Sequence, residues 1–137
     1  MRLPVRLLCA LPVSLLVLSG CSQSEDDVRM DAFCSDVPAL LRDVTADLNA
    51  FDGSDPASGP ALVDDAVTRL EAVDPPADVS DEWDRLLTAW TGVRDLLGQA
   101  DLTDPSANTA LAPELESLGT ELTEAGGAVD DWGQANC

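Results

Sequence analysis

The 137-residue sequence contains no histidine, no tyrosine and no lysine. The lack of histidine removes the commonest general base, the Ser-His and Cys-His dyads and most zinc sites. Without lysine there is no Schiff-base chemistry. No glycine-rich loop is built to cradle a phosphate, and no dinucleotide fingerprint is present. Aromatics are sparse, with two phenylalanines and three tryptophans. Two-residue alternation is absent over any useful length, so nothing reads as a strand. No apolar run approaches the roughly 20 residues of a membrane-spanning helix. The longest, Leu7–Leu18, is interrupted by Pro12 and Ser14.

Acids, by contrast, are abundant: 26 Asp and Glu face seven arginines. Arg2 and Arg6 precede the apolar run and no acid does, which gives a basic n-region and a short h-region. Then come Leu18-Ser19-Gly20-Cys21 and an abruptly polar stretch. This tetrad resembles the lipobox of bacterial lipoproteins. The resemblance implies cleavage between Gly20 and Cys21, a diacylglycerol thioether on Cys21 with further acylation such as palmitate, and residence on the extracytoplasmic face of the cell membrane. Residues 1–20 are then a signal peptide, and Cys9 leaves with it. The mature chain keeps five arginines and all 26 acids, a formal charge of −21. Such a charge repels nucleic acid and anionic lipid, so a nucleic-acid role is excluded. Basic proteins, cations and cell-wall polymers are the partners that suit it.

Residues 21–30, with Glu25, Asp26 and Asp27 and no apolar period, read as an acylated cysteine and flexible acidic tether. The remaining chain, 31–137, suits one domain with one core. Its apolar spacing is helical throughout. Phe33, Val37, Leu40, Leu41, Val44, Leu48 and Phe51 form a first stripe, which contains Pro38 either in its first turn or as a kink. The turn cluster Asp52-Gly53-Ser54-Asp55-Pro56 ends it; it lacks the spaced ligands of a calcium loop and reads as a turn. A shorter helix is expected over about 60 to 73, closed by Asp74-Pro75-Pro76. A third carries Val79, Trp83, Leu86, Leu87, Trp90, Val93 and Leu97, with Asp78 or Ser80 as cap and Gly98 as stop. The fourth repeats Leu111, Leu115, Leu118, Leu122, Ala125, Val129 and Trp132 at alternating steps of four and three, the seam of a bundle helix. Pro113 kinks it or marks its first turn. Gly119 and Gly126 lie beside the seam, through either close helix approach or simple tolerance. The pattern predicts an all-α, up-down-up-down four-helix bundle.

Cys34 and Cys137 are the cysteines left once Cys9 is removed and Cys21 acylated. In an oxidising compartment they are an expected disulfide. An even number of antiparallel helices brings the start of the first and the end of the last to one pole, so the bond and the helix count support each other. The arrangement also resembles small helical lipoproteins of actinobacteria, on the leader with its lipobox, Phe33-Cys34, Asp74-Pro75-Pro76 before a Trp-bearing helix, and Asn136-Cys137. That resemblance brings no catalytic residues.

For chemistry, no catalytic residue, metal ligand set or cofactor beyond the lipid is identified. Asp64-Asp65 and Asp130-Asp131 are adjacent pairs that diverge by about 100° on a helix. Two ion pairs are expected at four-residue spacing, Asp65–Arg69 and Asp81–Arg85, and Arg94 is placed to stack on Trp90. Trp83, Trp90 and Trp132 read either as core fillers or as the lining of an interhelical ligand cleft. The leading expectation is a membrane-anchored, non-enzymatic interaction module that engages an envelope protein or cell-wall component. The alternative is a lipoprotein that binds a small molecule or cation in the Trp-lined cleft.

Overall fold

The computed structural model describes residues 24–137; the leader, Gly20 and Cys21 lie outside the described residues. It is an all-α four-helix bundle, with α1 over Glu25–Ala50, α2 over Gly59–Glu71, α3 over Ser80–Gln99 and α4 over Ala112–Asn136. Three short 3-10 turns, Pro56–Ser58, Ala77–Val79 and Pro105–Leu111, join them. No strand occurs among the described residues.

The helices start and stop for local reasons. Ser24 caps α1 in a reciprocal box: the Asp27 N–H donates to Ser24 Oγ at 3.1 Å, and the Ser24 N–H donates to Asp27 Oδ2 at 3.0 Å. Glu25, Asp26 and Asp27 fill the first turn, where carboxylates meet the positive end of the helix dipole. The expected tether over 21–30 is therefore corrected for 25–30, which are helical. Acidity without apolar period reads as tether in sequence, but a capping box needs no apolar residue. Cys34 consequently sits nine residues inside α1 rather than at its start. Pro38 also lies in the helix interior, where it denies the Cys34 carbonyl its usual partner. Gly53, at φ 72°, supplies the left-handed residue of the turn after α1. Pro60 and Pro113 both occupy first turns, of α2 and α4.

The Asp78 and Ser80 caps expected for α3 are not used; Val79 stands at the N-cap without a side-chain bond. Instead Asp26 Oδ1 on α1 accepts the Ala77 N–H at 3.0 Å, capping the preceding 3-10 turn from another helix. Gly98 stays helical and α3 ends at Gln99, with Ala100 as its extended C-cap.

The core joins all four helices. Phe33 and Val37 of α1, Leu70 of α2, Val79 before α3, Trp83 and Leu86 of α3, and Ala125 and Val129 of α4 form one buried cluster. Each large member contributes about 1.5–3 kcal/mol on burial. The α3–α4 pair is antiparallel and close. Arg85 reaches Glu121 at 3.1 Å, and a Cβ at Gly92 would stand 2.6 Å from Leu118 Cδ2. The close-approach glycine is thus Gly92. Gly119 has open space around it, and Gly126 meets only Leu86 at 3.9 Å.

The Cys34–Cys137 disulfide ties α1 to the end of α4, with Cα atoms 5.4 Å apart. Its position sets the register between the two longest helices. Running antiparallel from Cys34, α1 reaches its end at Ala50 level with about Glu121 of α4. The first turns of α4 therefore have no α1 beside them, and Leu115 is 52% exposed despite its place on the seam. At the disulfide pole, the first nine residues of α1 project beyond the bond. Arg29 Nε donates to Asp74 Oδ2 at 2.7 Å there, and Asp26 holds Ala77, so this projection is clamped to the α2–α3 connection.

Candidate functional site

The disulfide pole carries one of several surface grooves. Phe33, Val37, Pro38 and Leu41 of α1 face Val129 and Gly133 of α4 across a half-open, mainly apolar groove of about 260 Å³, with Cys137 at its rim. Local sequence contributes to it: Gly133 brings no side chain to the groove, and a Cβ there would meet nothing within 4 Å.

None of the three tryptophans lines this groove. Trp83 is 2% exposed and belongs to the core. Its ring meets Phe33 edge-on at 5.4 Å, and Trp132 meets the other side of Phe33 edge-on at 5.5 Å. Such pairs add about 0.5–1.5 kcal/mol each beyond burial. Trp90 packs partly buried against the same cluster. The structure thus brings Trp83 and Trp132 together through Phe33, and no tryptophan lines the groove at the disulfide pole or three other grooves on the described surface. Sequence spacing placed the tryptophans on inward faces; it did not tell a filled interior from an open one. The Trp83 indole Nε1 is buried without a hydrogen-bond partner.

The ion pairs differ from those expected in one respect. Arg69 pairs with Asp65 at 2.9 Å along α2 and also reaches Asp47 on α1 at 2.7 Å. Hydrogen bonding to Asp47 leads the causes that raise its pKa. Arg85, however, turns from Asp81 to α4, with Glu121 at 3.1 Å and Glu124 at 3.7 Å. Arg94 faces Asp95 at 3.6 Å. Arg29 is likewise held in its charged form, mainly by its bond to Asp74. Arg69 and Arg85 thus act as struts between helices, and Arg29 ties α1 to the α2–α3 connection; exposed pairs of this kind contribute about 0–1 kcal/mol each.

The carboxylates with lowered pKa are all turn or cap groups. Bonds from the Ser24 side chain and then its backbone depress Asp27. Ser54 does the same to Asp52, Thr103 to Asp101 and Ser106 to Asp104. These are local chain-shaping bonds on exposed residues, and none converges on a second carboxylate in a cleft. Among the described residues, no side chain with polar or charged character is buried, and no group of three His, Cys, Asp or Glu is arranged to hold a metal. No described helix is long and apolar enough to cross a membrane.

Comparison of the chain with protein-family models, curated proteins and solved structures finds no match.

Proposed function

We propose that the protein is a lipoprotein anchored to the extracytoplasmic face of a bacterial cell membrane through Cys21, where its four-helix bundle serves as a non-enzymatic interaction module for another envelope component. The observation that carries this reading is the leader itself: a basic n-region, a 12-residue apolar run and Leu18-Ser19-Gly20-Cys21 directly before an acidic helical domain. The Cys34–Cys137 disulfide supports it, since such bonds persist in oxidising compartments. A core that is apolar throughout and exposed carboxylates engaged in local turns favour a binding role over catalysis.

Metabolic labelling with an alkyne analogue of palmitate tests the anchor. The wild-type chain takes up label and partitions with membranes, and Cys21→Ala takes up none and loses the membrane association. Equal labelling of both would end the anchoring proposal. Cross-linking from the membrane-bound bundle then tests the module: recurrent capture of one envelope component supports it, and reproducible absence of any specific product argues against it.

A further inference from the structure

We propose that α1 is a membrane strut: it stands the bundle upright on the lipid anchor, with the disulfide pole against the bilayer and the opposite pole, residues 51–58 and 100–111, turned outward to partners. This rests on acylation of Cys21, and goes beyond it to the orientation of the whole domain.

The argument begins with the capping box. Because Ser24 already caps α1, only three residue steps separate Cys21 from the helix, a reach of at most ~11 Å. The helix that follows is 26 residues long, about 39 Å. The anchor therefore meets a rigid element about three and a half times longer than the linker. The projecting start of α1 is also fixed to the body, by Arg29 to Asp74 at 2.7 Å and by Asp26 to the Ala77 N–H at 3.0 Å. A hinge at this point would have to break both contacts.

One further observation favours standing over lying flat. Among the described residues, the exposed large apolar side chains are Val28, Phe51 and Leu115, which belong to the start of α1, the turn after it and the start of α4 rather than to one apolar stripe along a flank that could insert into lipid.

The chain has no lysine, so a single introduced lysine is a unique side-chain handle for an amine-reactive fluorophore. Ala135 near the end of α4 and Ala107 before its start are both exposed and mark the two poles, about 35 Å apart. The full acylated protein, as Ala135→Lys or Ala107→Lys, is reconstituted into anionic vesicles that carry an acceptor-labelled phospholipid. The lysine-free parent corrects for labelling at the α-amine. Energy transfer from Ala135→Lys is expected to exceed that from Ala107→Lys about twofold or more over such a span. A long Gly/Ser insertion between Cys21 and Ser24 should abolish the difference. Equal transfer from both positions in the acylated parent, or stronger transfer from Ala107→Lys, overturns the strut while leaving the anchor intact. An intact mass without acyl groups overturns the anchor, and the strut with it.

Discussion

Replacing both Cys34 and Cys137 by serine removes a cross-link that spans 103 residues of sequence. In the chain-entropy model, a closed loop of about 100 residues stabilises the folded state by about 4.7 kcal/mol at 25 °C, chiefly by restricting the unfolded chain. Native packing should change little, because Cys34 is half-buried and Cys137 exposed, so no core cavity opens. The expected loss is therefore a large part of the roughly 5–15 kcal/mol typical of a small domain. Urea unfolding of the oxidised protein and the double variant reads it directly. With a slope of about 1–2 kcal/mol per molar, the midpoint should fall by ~2–5 M, and the double variant should show the steeper slope because its unfolded chain is more expanded. Full reduction of the wild-type protein should reproduce the result. A loss below about 1 kcal/mol would refute the reasoning: the ends of α1 and α4 would then be held together in the unfolded chain without the bond.

Other outcomes follow from single contacts. Gly119→Ala, with open space at its Cβ, should stabilise by up to about 1 kcal/mol, whereas Gly92→Ala must displace Leu118 and should forfeit that gain; thermal unfolding of the two variants side by side decides it. Ser24→Ala should cost about 1 kcal/mol in the same assay and slow-exchanging amides should disappear from the first turn of α1. Asp27 has its carboxyl pKa lowered in the fold, so its contribution is present above the ordinary aspartate range and is lost as pH falls through the lowered folded value; Asp27→Asn should flatten that part of the acid limb of the stability profile. Arg85→Ala should change stability by less than about 1 kcal/mol, since both its partners on α4 are exposed.

The stripes legible in the sequence became the four helices, because Phe33, Val37, Leu70, Trp83, Leu86, Ala125 and Val129 recur at helical spacing and meet in one core. The pairing of Cys34 with Cys137 was legible for a topological reason, as an even helix count returns the chain to its starting pole. The start of α1 was not. It is specified by the Ser24–Asp27 box, which in sequence looks like any polar linker. Leu115 shows a different limit. Its position on the seam is correct, yet the disulfide register leaves no α1 opposite it, and register is not encoded in periodicity. Arg85 chooses Glu121 over Asp81 because α4 lies within its reach, a matter of which helices are neighbours. The groove at Gly133 likewise depends on Pro38 from a helix about a hundred residues earlier, so no local motif announces it.

Intact mass of the protein isolated from its native membrane, before and after reduction with thiol alkylation, is the sharpest test of the proposed acylated, disulfide-closed bundle. The expected mass is that of residues 21–137 plus acyl groups, with two thiols alkylated only after reduction. A mass that retains residues 1–20, or two thiols alkylated without reduction, would contradict it.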